Sequence, residues 1–278
     1  KFTLYVLNIK LISNHRKGGD AYRRLLEDIF ANSLQAKTNS GKKVIIRTMF
    51  PAESEGEKFY YGKISRFTDL ENQDWIDIST KEVTNPELDP NLFPNLQETE
   101  YVWVPQAHRF IVVKSPQFTI NNAADFFNSV LRDVLASDED YSVSIEQSED
   151  IYDEIYKALR VERLMISISY TNSDDIGIDA DQWMDDELRE SNASQATFYF
   201  KATPNESISL DKTLIKGAMG LARENGEVEA TIKDQDSRRR KIITKQHPKE
   251  LRDSAENEES VKDVIFNMIM KIYRSGKE

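Results

Sequence analysis

Two kinds of hydrophobic pattern alternate along the whole chain, and this mixture constrains the fold more than any other feature. Phe2–Ile12 is rich in β-branched and aromatic residues, which favours a strand. Farther on, Ala124, Phe127 and Leu131 recur at helical spacing, which predicts an amphipathic helix over 121–135. Strands and helices mixed in this way, with hairpins between neighbouring strands, are typical of α+β proteins. The sequence therefore predicts an α+β fold with a mainly antiparallel sheet, or two sheets, covered by amphipathic helices.

The same two patterns give a full set of predicted elements. The predicted helices cover 20–35 with Asp20 as N-cap, 121–135, a segment that Ser148 caps, 179–190, 210–224 and 261–273. The predicted strands cover 2–12, 43–50, 58–68, 75–78, 99–104, 108–114, 141–146, 164–170, 196–203, 228–233 and 240–245. Three prolines within 85–97 remove backbone donors and predict an irregular connection. Two hairpins are expected, one around 105–107 and one around 234–237.

The length of 278 residues permits one large domain or two smaller ones. The polar run Ser137-Asp138-Glu139-Asp140 interrupts the pattern near the middle of the chain. We expect an N-terminal α+β half at 1–137, which holds a basic helix and loop. The C-terminal α+β half at 138–278 would hold an acidic segment and a basic hairpin. One continuous domain is the alternative.

The composition excludes several classes of protein. The 13 Phe, 11 Tyr and 3 Trp residues are too many for a disordered chain. The absence of cysteine excludes disulfides, thiolate metal sites and thiol nucleophiles. No apolar run approaches the ~20 residues that a membrane-spanning helix needs, and the first residues lack the apolar block of a signal peptide. We therefore expect a cytoplasmic protein with no membrane partner.

Charge is distributed unevenly within a chain whose net charge is −11. Residues 1–66 hold 13 Lys and Arg against 6 Asp and Glu, whereas residues 138–190 hold 4 against 17. Residues 233–249 are basic again, with 7 Lys and Arg against 2 Asp. Screening confines a surface field to about 8–10 Å at physiological salt, so an acidic segment elsewhere need not prevent anion binding. We expect separate positive and negative faces.

Two basic segments are candidate nucleic-acid sites. The first is the Gly-Gly loop before the first predicted helix, where backbone N–H groups suit phosphate. Its candidate residues are Arg16, Lys17, Arg23 and Arg24. The second is the predicted tip of the late hairpin, because a basic hairpin can follow a phosphate backbone. Its candidate residues are Arg238, Arg239, Arg240, Lys241 and Lys245.

A solvated loop and an ordinary charged turn are the alternative interpretations of these two segments. Neither segment carries the interleaved aromatic residues that a single-strand stacking platform uses. Their support for nucleic-acid binding therefore comes from charge alone.

Catalytic motifs are absent from the sequence. The three histidines, His15, His108 and His247, lie in different segments and lack metal-ligand spacing. Walker A loops, GxGxxG motifs and G-x-S-x-G elbows do not occur. The sequence implies no cofactor, no metal and no catalytic residue. A non-enzymatic protein is favoured, and enzymatic activity is left open.

An acidic run from Asp174 to Glu187 allows three interpretations. A solvated helix face is favoured, because the carboxylates lie mainly on one helix and its approach. Asp181 and Asp185 would then be exposed, and replacing either with Ala would change stability by at most roughly 0.5 kcal/mol. Clustered carboxylates also suit the Mg²⁺ ions of a metal-dependent nuclease. The third interpretation is that the whole acidic segment 138–190 is a docking face for a basic partner or a mimic of nucleic-acid phosphate.

Several segments resemble one uncharacterised bacterial family. They are Tyr5-Val6-Leu7-Asn8-Ile9, Tyr61-Gly62-Lys63-Ile64-Ser65-Arg66-Phe67, Trp75-Ile76-Asp77-Ile78, Tyr101-Val102-Trp103-Val104-Pro105, His108-Arg109-Phe110, Asn225-Gly226-Glu227-Val228-Glu229-Ala230 and Thr244-Lys245-Gln246-His247-Pro248. The family is a domain of unknown function, number four-seven-four-seven. The resemblance covers most of the chain in order, and its motifs are structural, so it implies no active site.

The layout also loosely resembles that of the exclusion protein RexA of phage lambda, a DNA-binding α+β protein of similar length. This likeness of architecture and basic patches implies a role in bacterial antiphage defence. The prediction is therefore a non-enzymatic protein that binds nucleic acid, DNA rather than RNA, as a homodimer. An effector protein from a neighbouring gene is a further expected partner. A protein–protein interaction module that uses its acidic face and a metal-dependent nuclease are the alternatives.

Overall fold

The computed structural model describes residues 1–38, 41–70, 74–169, 179–255 and 260–274. The helices of these residues are α1 (Gly18–Ala31), α2 (Ile120–Val134), α3 (Glu149–Tyr156), α4 (Asp179–Glu190), α5 (Thr213–Asn225) and α6 (Val261–Arg274). The strands are β1 (Phe2–Ile12), β2 (Gln35–Lys37), β3 (Lys42–Ser54), β4 (Glu57–Thr68), β5 (Trp75–Ile76), β6 (Val83–Thr84), β7 (Gln97–Val104), β8 (Arg109–Val113), β9 (Asp140–Ile145), β10 (Arg160–Ser169), β11 (Gln195–Lys201), β12 (Gly226–Lys233), β13 (Arg239–Ile243) and β14 (Leu251–Asp253).

The larger sheet is built around the long strand β1. Its order is β14-β1-β8-β7-β4-β3-β2, and each pairing is antiparallel. One edge of β1 pairs with β14 near its start and with β9 from Leu7 onward, whereas its other edge pairs with β8. A strand of this length can serve three partners because each partner uses only part of it.

Helices cover both faces of the larger sheet. Alternate residues of β1 point to opposite sides, so Leu7 and Ile9 pack with α1 and α2, whereas Leu4 and Val6 pack with Phe266 of α6. All of these side chains are buried. The sheet is therefore the middle layer of three.

The smaller sheet has the order β11-β10-β12-β13 and is also antiparallel. The apolar side chains of its inner face form one core with α3, α4 and α5. Leu164, Ile166, Val228 and Ile232 on that inner face are fully buried. With two larger antiparallel sheets, the two-stranded ribbon β5-β6 and six helices among the described residues, the predicted α+β class is confirmed.

A buried polar cluster joins the two sheets. Arg109 on β8 donates from Nε to Oε1 of Glu146 over 2.6 Å and from Nη1 to Oδ1 of Asn8 over 2.8 Å. Asn8 Nδ2 in turn donates to Oδ1 of Asn225, at the end of α5, over 2.9 Å. Burial disfavours the charge of Arg109 and is the largest single effect on it, but Glu146, Tyr273 and Glu224 together outweigh it, so the pKa of Arg109 is raised. Removing one partner from such a pair would leave an uncompensated buried charge, so the cluster holds the sheets in one arrangement.

Both predicted hairpins are present, but several element ends differ from the sequence prediction. Helix α1 begins at Gly18 with Lys17 at the N-cap position, not Asp20, and ends at Ala31. Ser33 then takes a φ of 50°, which turns the chain toward β2. Strand β10 begins at Arg160 and not at Leu164. A bulge between Val161 and Arg163 interrupts the alternation that marks a strand, so the sequence pattern did not reveal the first residues of β10.

Elements from both sides of residue 138 contribute to the larger sheet. Strands β9 and β14 pair with β1, and α6 packs on the same sheet, although all three follow residue 138 in the chain. The smaller sheet lies wholly within 160–243. The division into 1–137 and 138–278 stays a prediction about folding units.

Candidate nucleic-acid interface

Two cations of the first basic segment, Arg16 before α1 and Arg23 within it, form ion pairs with carboxylates of the same protein. Arg16 makes a two-pronged ion pair with Glu139, with distances of 2.8 Å from Nε to Oε1 and 2.5 Å from Nη2 to Oε2. The hydrogen bond from Arg16 lowers the pKa of Glu139 to about 2. Arg23 pairs with Glu27 on the next turn of α1, at 2.9 Å. Lys17 and Arg24 are exposed.

The second basic segment lies in a strand and not at a hairpin tip, which corrects the sequence prediction. Only Arg238 belongs to the turn, where its backbone N–H donates to Oδ1 of Asp234 over 2.9 Å. Arg239, Arg240 and Lys241 belong to β13, and Lys245 follows in a short 3-10 turn. The strand begins directly after the turn because β13 pairs with β12 as far as Arg239.

Four of these cations have carboxylate partners. Arg239 Nε lies 2.9 Å from Oε2 of Glu162, and Arg240 pairs with Glu154 of α3. The remaining pairs are Lys241 with Glu229 at 2.6 Å and Lys245 with Glu227 at 2.8 Å. All four cations are about half exposed, so water and a ligand can still reach them.

The outward side of the smaller sheet, called the open face below, brings together cations that are distant in sequence. The strand register aligns Lys201, Arg163, Thr231 and Lys241 in one row across β11, β10, β12 and β13. A second row on one side contains Arg160, Lys233 and Arg239. The row on the other side contains Tyr199, Met165, Glu229 and Ile243.

These side chains point outward because their neighbours fill the core. Along β12, Val228, Ala230 and Ile232 are buried, so Glu229, Thr231 and Lys233 lie on the opposite side. The same alternation along β10 buries Leu164 and Ile166, and it leaves Arg163 exposed. The burial of alternate side chains in the core therefore determines which side chains lie on the open face.

The charge of the open face differs in sign from that of the whole chain. Its strands carry six cations, Arg160, Arg163, Lys201, Lys233, Arg239 and Lys241, against three carboxylates, Glu162, Glu227 and Glu229. The face thus has a net charge of +3 within a protein of net charge −11. The ion pairs on the open face weaken its electrostatic field, but its excess charge is positive.

Tyr199 gives the open face an aromatic surface that the sequence interpretation missed. Its side chain is 61% exposed in the middle of β11, beside Met165 of β10. The ring lies between the exposed Thr197 and Lys201 on the same strand. The alternation Thr197-Tyr199-Lys201 was the available signal, but the pairing of β11 with the basic strand β10 could not be seen from it.

A polar cleft of about 920 Å³ continues from one end of the open face toward β9 and α2. Ser167 and Glu227 lie at the junction, because they belong to the end of the sheet and also line the cleft, and Lys245 lines the cleft from the 3-10 turn after β13. Its deeper wall includes Ser142, whose Oγ lies 3.0 Å from Oγ of Ser169. Hydroxyl and amide side chains make up half of the twenty residues that line the cleft.

The acidic run is only partly a solvated face. Asp174 and Asp175 lie outside the described residues, as does the side chain of Asp181. Asp185 is only 6% exposed and accepts from Nε of Arg189 over 2.8 Å, so its predicted exposure was wrong. Asp186 is exposed. The described residues contain no group of three or more His, Asp or Glu side chains that could hold a metal ion.

The expected separation of charge into two faces also fails at several contacts. His15 and Arg16 of the basic N-terminal segment pair with Asp138 and Glu139 of the acidic segment. Arg239 pairs in the same way with Glu162. The fold therefore interleaves the two segments, and the whole-segment charges do not describe the surface.

In the part of the chain that the structure describes, no helix has the length and apolar character needed to cross a membrane.

The fold and the site define an α+β protein with two larger antiparallel sheets, the smaller of which has an open polar face. Within that class, the chain belongs to the family described as a domain of unknown function, DUF4747, whose model matches residues 1–271. This confirms the resemblance seen in the sequence. The comparison with curated proteins gave no match.

Proposed function

We propose that the protein binds single-stranded nucleic acid on its open face. The observation that carries this proposal is the cross-strand row Lys201, Arg163 and Lys241, flanked by the exposed ring of Tyr199. Sheets that bind single strands combine cations along the backbone path with aromatic rings on which bases stack. The open face has both features in adjacent rows.

Binding would add ion pairs with phosphate to the ion pairs within the protein. Glu162 holds Arg160 and Arg239, and Glu229 holds Lys241, so these cations are already oriented along the face. Arg239 and Lys241 are more than half exposed, so a phosphate can approach them while they keep their carboxylate partners. Arg163 and Lys201 are exposed and add to the excess positive charge.

A single strand fits the open face better than a duplex. The bases of a single strand are free to stack on Tyr199, whereas those of a duplex are already paired and stacked. The polar cleft at Ser167 and Lys245 offers hydroxyl and amide groups to a base or sugar that leaves the face. Phosphate contacts and stacking serve DNA and RNA alike. The preference for DNA over RNA that the RexA resemblance implies is therefore a separate part of the proposal and rests on that resemblance alone.

The test is a binding titration with fluorescent single-stranded DNA, single-stranded RNA and duplex DNA over a series of salt concentrations. We expect the wild type to bind single strands with an affinity that falls steeply with salt. Arg163→Glu with Lys201→Glu should weaken binding strongly. Lys58→Glu, an exposed lysine of the larger sheet, is the matched control and should bind like the wild type. No binding at low salt, or equal binding by the double variant, would refute the proposal.

The wider role is proposed on the resemblances alone. We propose a non-enzymatic protein of the cytoplasm that acts in bacterial antiphage defence, with an effector partner from a neighbouring gene. Infection of cells that carry the open-face double variant would test this role. Loss of protection with normal protein levels would support it, whereas full protection would contradict it.

A further inference from the structure

The connection between β4 and β7 exposes an unusual number of large apolar side chains. This segment, residues 74–96, is called the arm below. Its exposed apolar residues are Ile76, Ile78, Val83, Leu88, Leu92 and Leu96, and their exposed fractions range from 44% to 86%. Single exposed apolar residues are ordinary, but six within 23 consecutive residues are typical of an interaction surface.

The arm is anchored at its base but has little structure of its own. At the base, the ring of Phe93 lies 4.9 Å from that of Phe67, and Thr68 donates from its backbone N–H to the carbonyl of Pro94 over 3.0 Å. Beyond this point, β5 and β6 pair through only two residues each. A two-stranded ribbon of this kind is marginally stable unless something packs on it. Packing against a partner surface would therefore stabilise the arm.

The arm is also acidic. It carries five carboxylates, Asp74, Asp77, Glu82, Glu87 and Asp89, against the single cation Lys81. Its net charge is therefore −4 in a segment that also exposes six large apolar residues. A partner surface must be apolar and must tolerate or attract negative charge.

A groove with these properties lies between β3, β4 and the start of α6. The groove, called the Phe50 groove, has a volume of about 520 Å³. Phe50, which is 50% exposed, and Tyr61 both line it, with their ring centroids 5.5 Å apart. The exposed side chain of Val261 lies at one wall.

Three cations line the Phe50 groove. Lys262 Nζ lies 4.2 Å from the ring centroid of Tyr61, and Arg47 and Lys63 are the other two. Arg47 and Lys63 both contact Glu98, at 2.9 and 2.5 Å. With Glu100 also in the lining, three cations stand against two carboxylates, so the excess charge is positive.

We propose that the arm of one copy docks into the Phe50 groove of a second copy, so that the protein forms a homodimer. Each copy has one arm and one groove of complementary polarity and charge. When each copy binds the arm of the other in its own groove, both arms are covered, and the assembly is a closed dimer with twofold symmetry. This inference is independent of the open face, which lies on the other sheet.

The test measures the dimer dissociation constant by analytical ultracentrifugation. Leu88→Asp with Leu92→Asp places charge on the arm, and Phe50→Asp places charge on the groove. Both should raise the dissociation constant by about tenfold or more, because each introduces a carboxylate into an apolar contact. All three residues are exposed, so the fold should be retained. Leu159→Asp, at another exposed leucine outside both surfaces, is the matched control and should dimerise like the wild type.

A mixing experiment makes the test specific. The arm variant keeps an intact groove, and the groove variant keeps an intact arm, so a mixture restores one of the two contacts. Differently tagged variants should therefore form a heterodimer more tightly than either forms a homodimer. The proposal is overturned if the wild type is monomeric at its highest soluble concentration. It is also overturned if either variant dimerises like the wild type, if the mixture shows no gain, or if the control weakens the dimer equally.

Discussion

Arg239 and Arg240 are neighbours in the chain, but they lie on opposite faces of the smaller sheet. Arg239 points to the open face, where its Nε lies 2.9 Å from Oε2 of Glu162. Arg240 points to the helical side and pairs with Glu154 of α3. Because side chains alternate along a strand, two residues with the same charge in the same segment have different surroundings.

This difference gives a prediction for single-strand binding. Arg239→Glu should weaken binding and reduce the slope of log affinity against log salt by about 0.7, the value for one lost phosphate contact on a single strand. Arg240→Glu should leave both quantities near the wild-type values, because Arg240 faces α3. Titrations of both variants over the same salt series provide the measurement. Equal losses in the two variants would show that the strand face is irrelevant to binding.

Tyr199 should contribute through stacking and not through charge. Tyr199→Ala should weaken single-strand binding by about 1–3 kcal/mol, the usual contribution of one stacked base, with no change in the salt slope. Tyr199→Phe keeps the ring and should bind like the wild type. The thermal stability of both variants should stay close to that of the wild type, because the side chain is 61% exposed. Equal binding by the Ala and Phe variants would contradict a stacking role.

Asp185 should matter for stability, unlike its neighbour Asp186. Asp185 is buried and accepts a hydrogen bond from Arg189, so Asp185→Ala should lower the free energy of unfolding by about 1–3 kcal/mol. Asp186 is exposed, and Asp186→Ala should change it by no more than about 0.5 kcal/mol. Urea denaturation monitored by tryptophan fluorescence gives both values. Similar small effects at the two positions would argue against the buried ion pair.

Lys10 should make stability depend on pH above neutrality. Burial, followed by the nearby charge of Arg109, lowers the pKa of Lys10 from 10.5 to about 7. Between these values, the unfolded chain holds the proton and the folded protein has lost it, so this residue makes the free energy of unfolding rise with pH. Below about pH 7 the penalty for the buried charge is complete, and above pH 10.5 it is absent.

The comparison with Lys10→Met isolates this effect from other titrating groups. We expect the variant to gain stability relative to the wild type as the pH falls from 10 toward 7. Urea denaturation of both proteins at intervals across this range provides the difference. A difference that does not change with pH would show that Lys10 keeps the same charge in the folded and unfolded states.

The sequence by itself determined most of the elements. The period of two in Phe2–Ile12 and the period near 3.6 around Phe127 arise from local backbone geometry, so each could be recognised without knowing any partner. The hairpin between β12 and β13 was recognisable for the same reason, because its polar turn connects adjacent strands. Where charged residues and a bulge interrupt the pattern, as at Arg160 and Glu162, the start of a strand was missed.

Only the tertiary structure decided which of these residues act together. Lys201, Arg163 and Lys241 meet in one row because β11, β10 and β13 join one sheet through β12, although long stretches of chain separate them. The same assembly placed Arg16 beside Glu139 and buried Asp185, so the charge of a segment did not give the charge of a surface. Local periodicity depends on residues a few positions apart, whereas a surface depends on strand order and on which side chains the core buries.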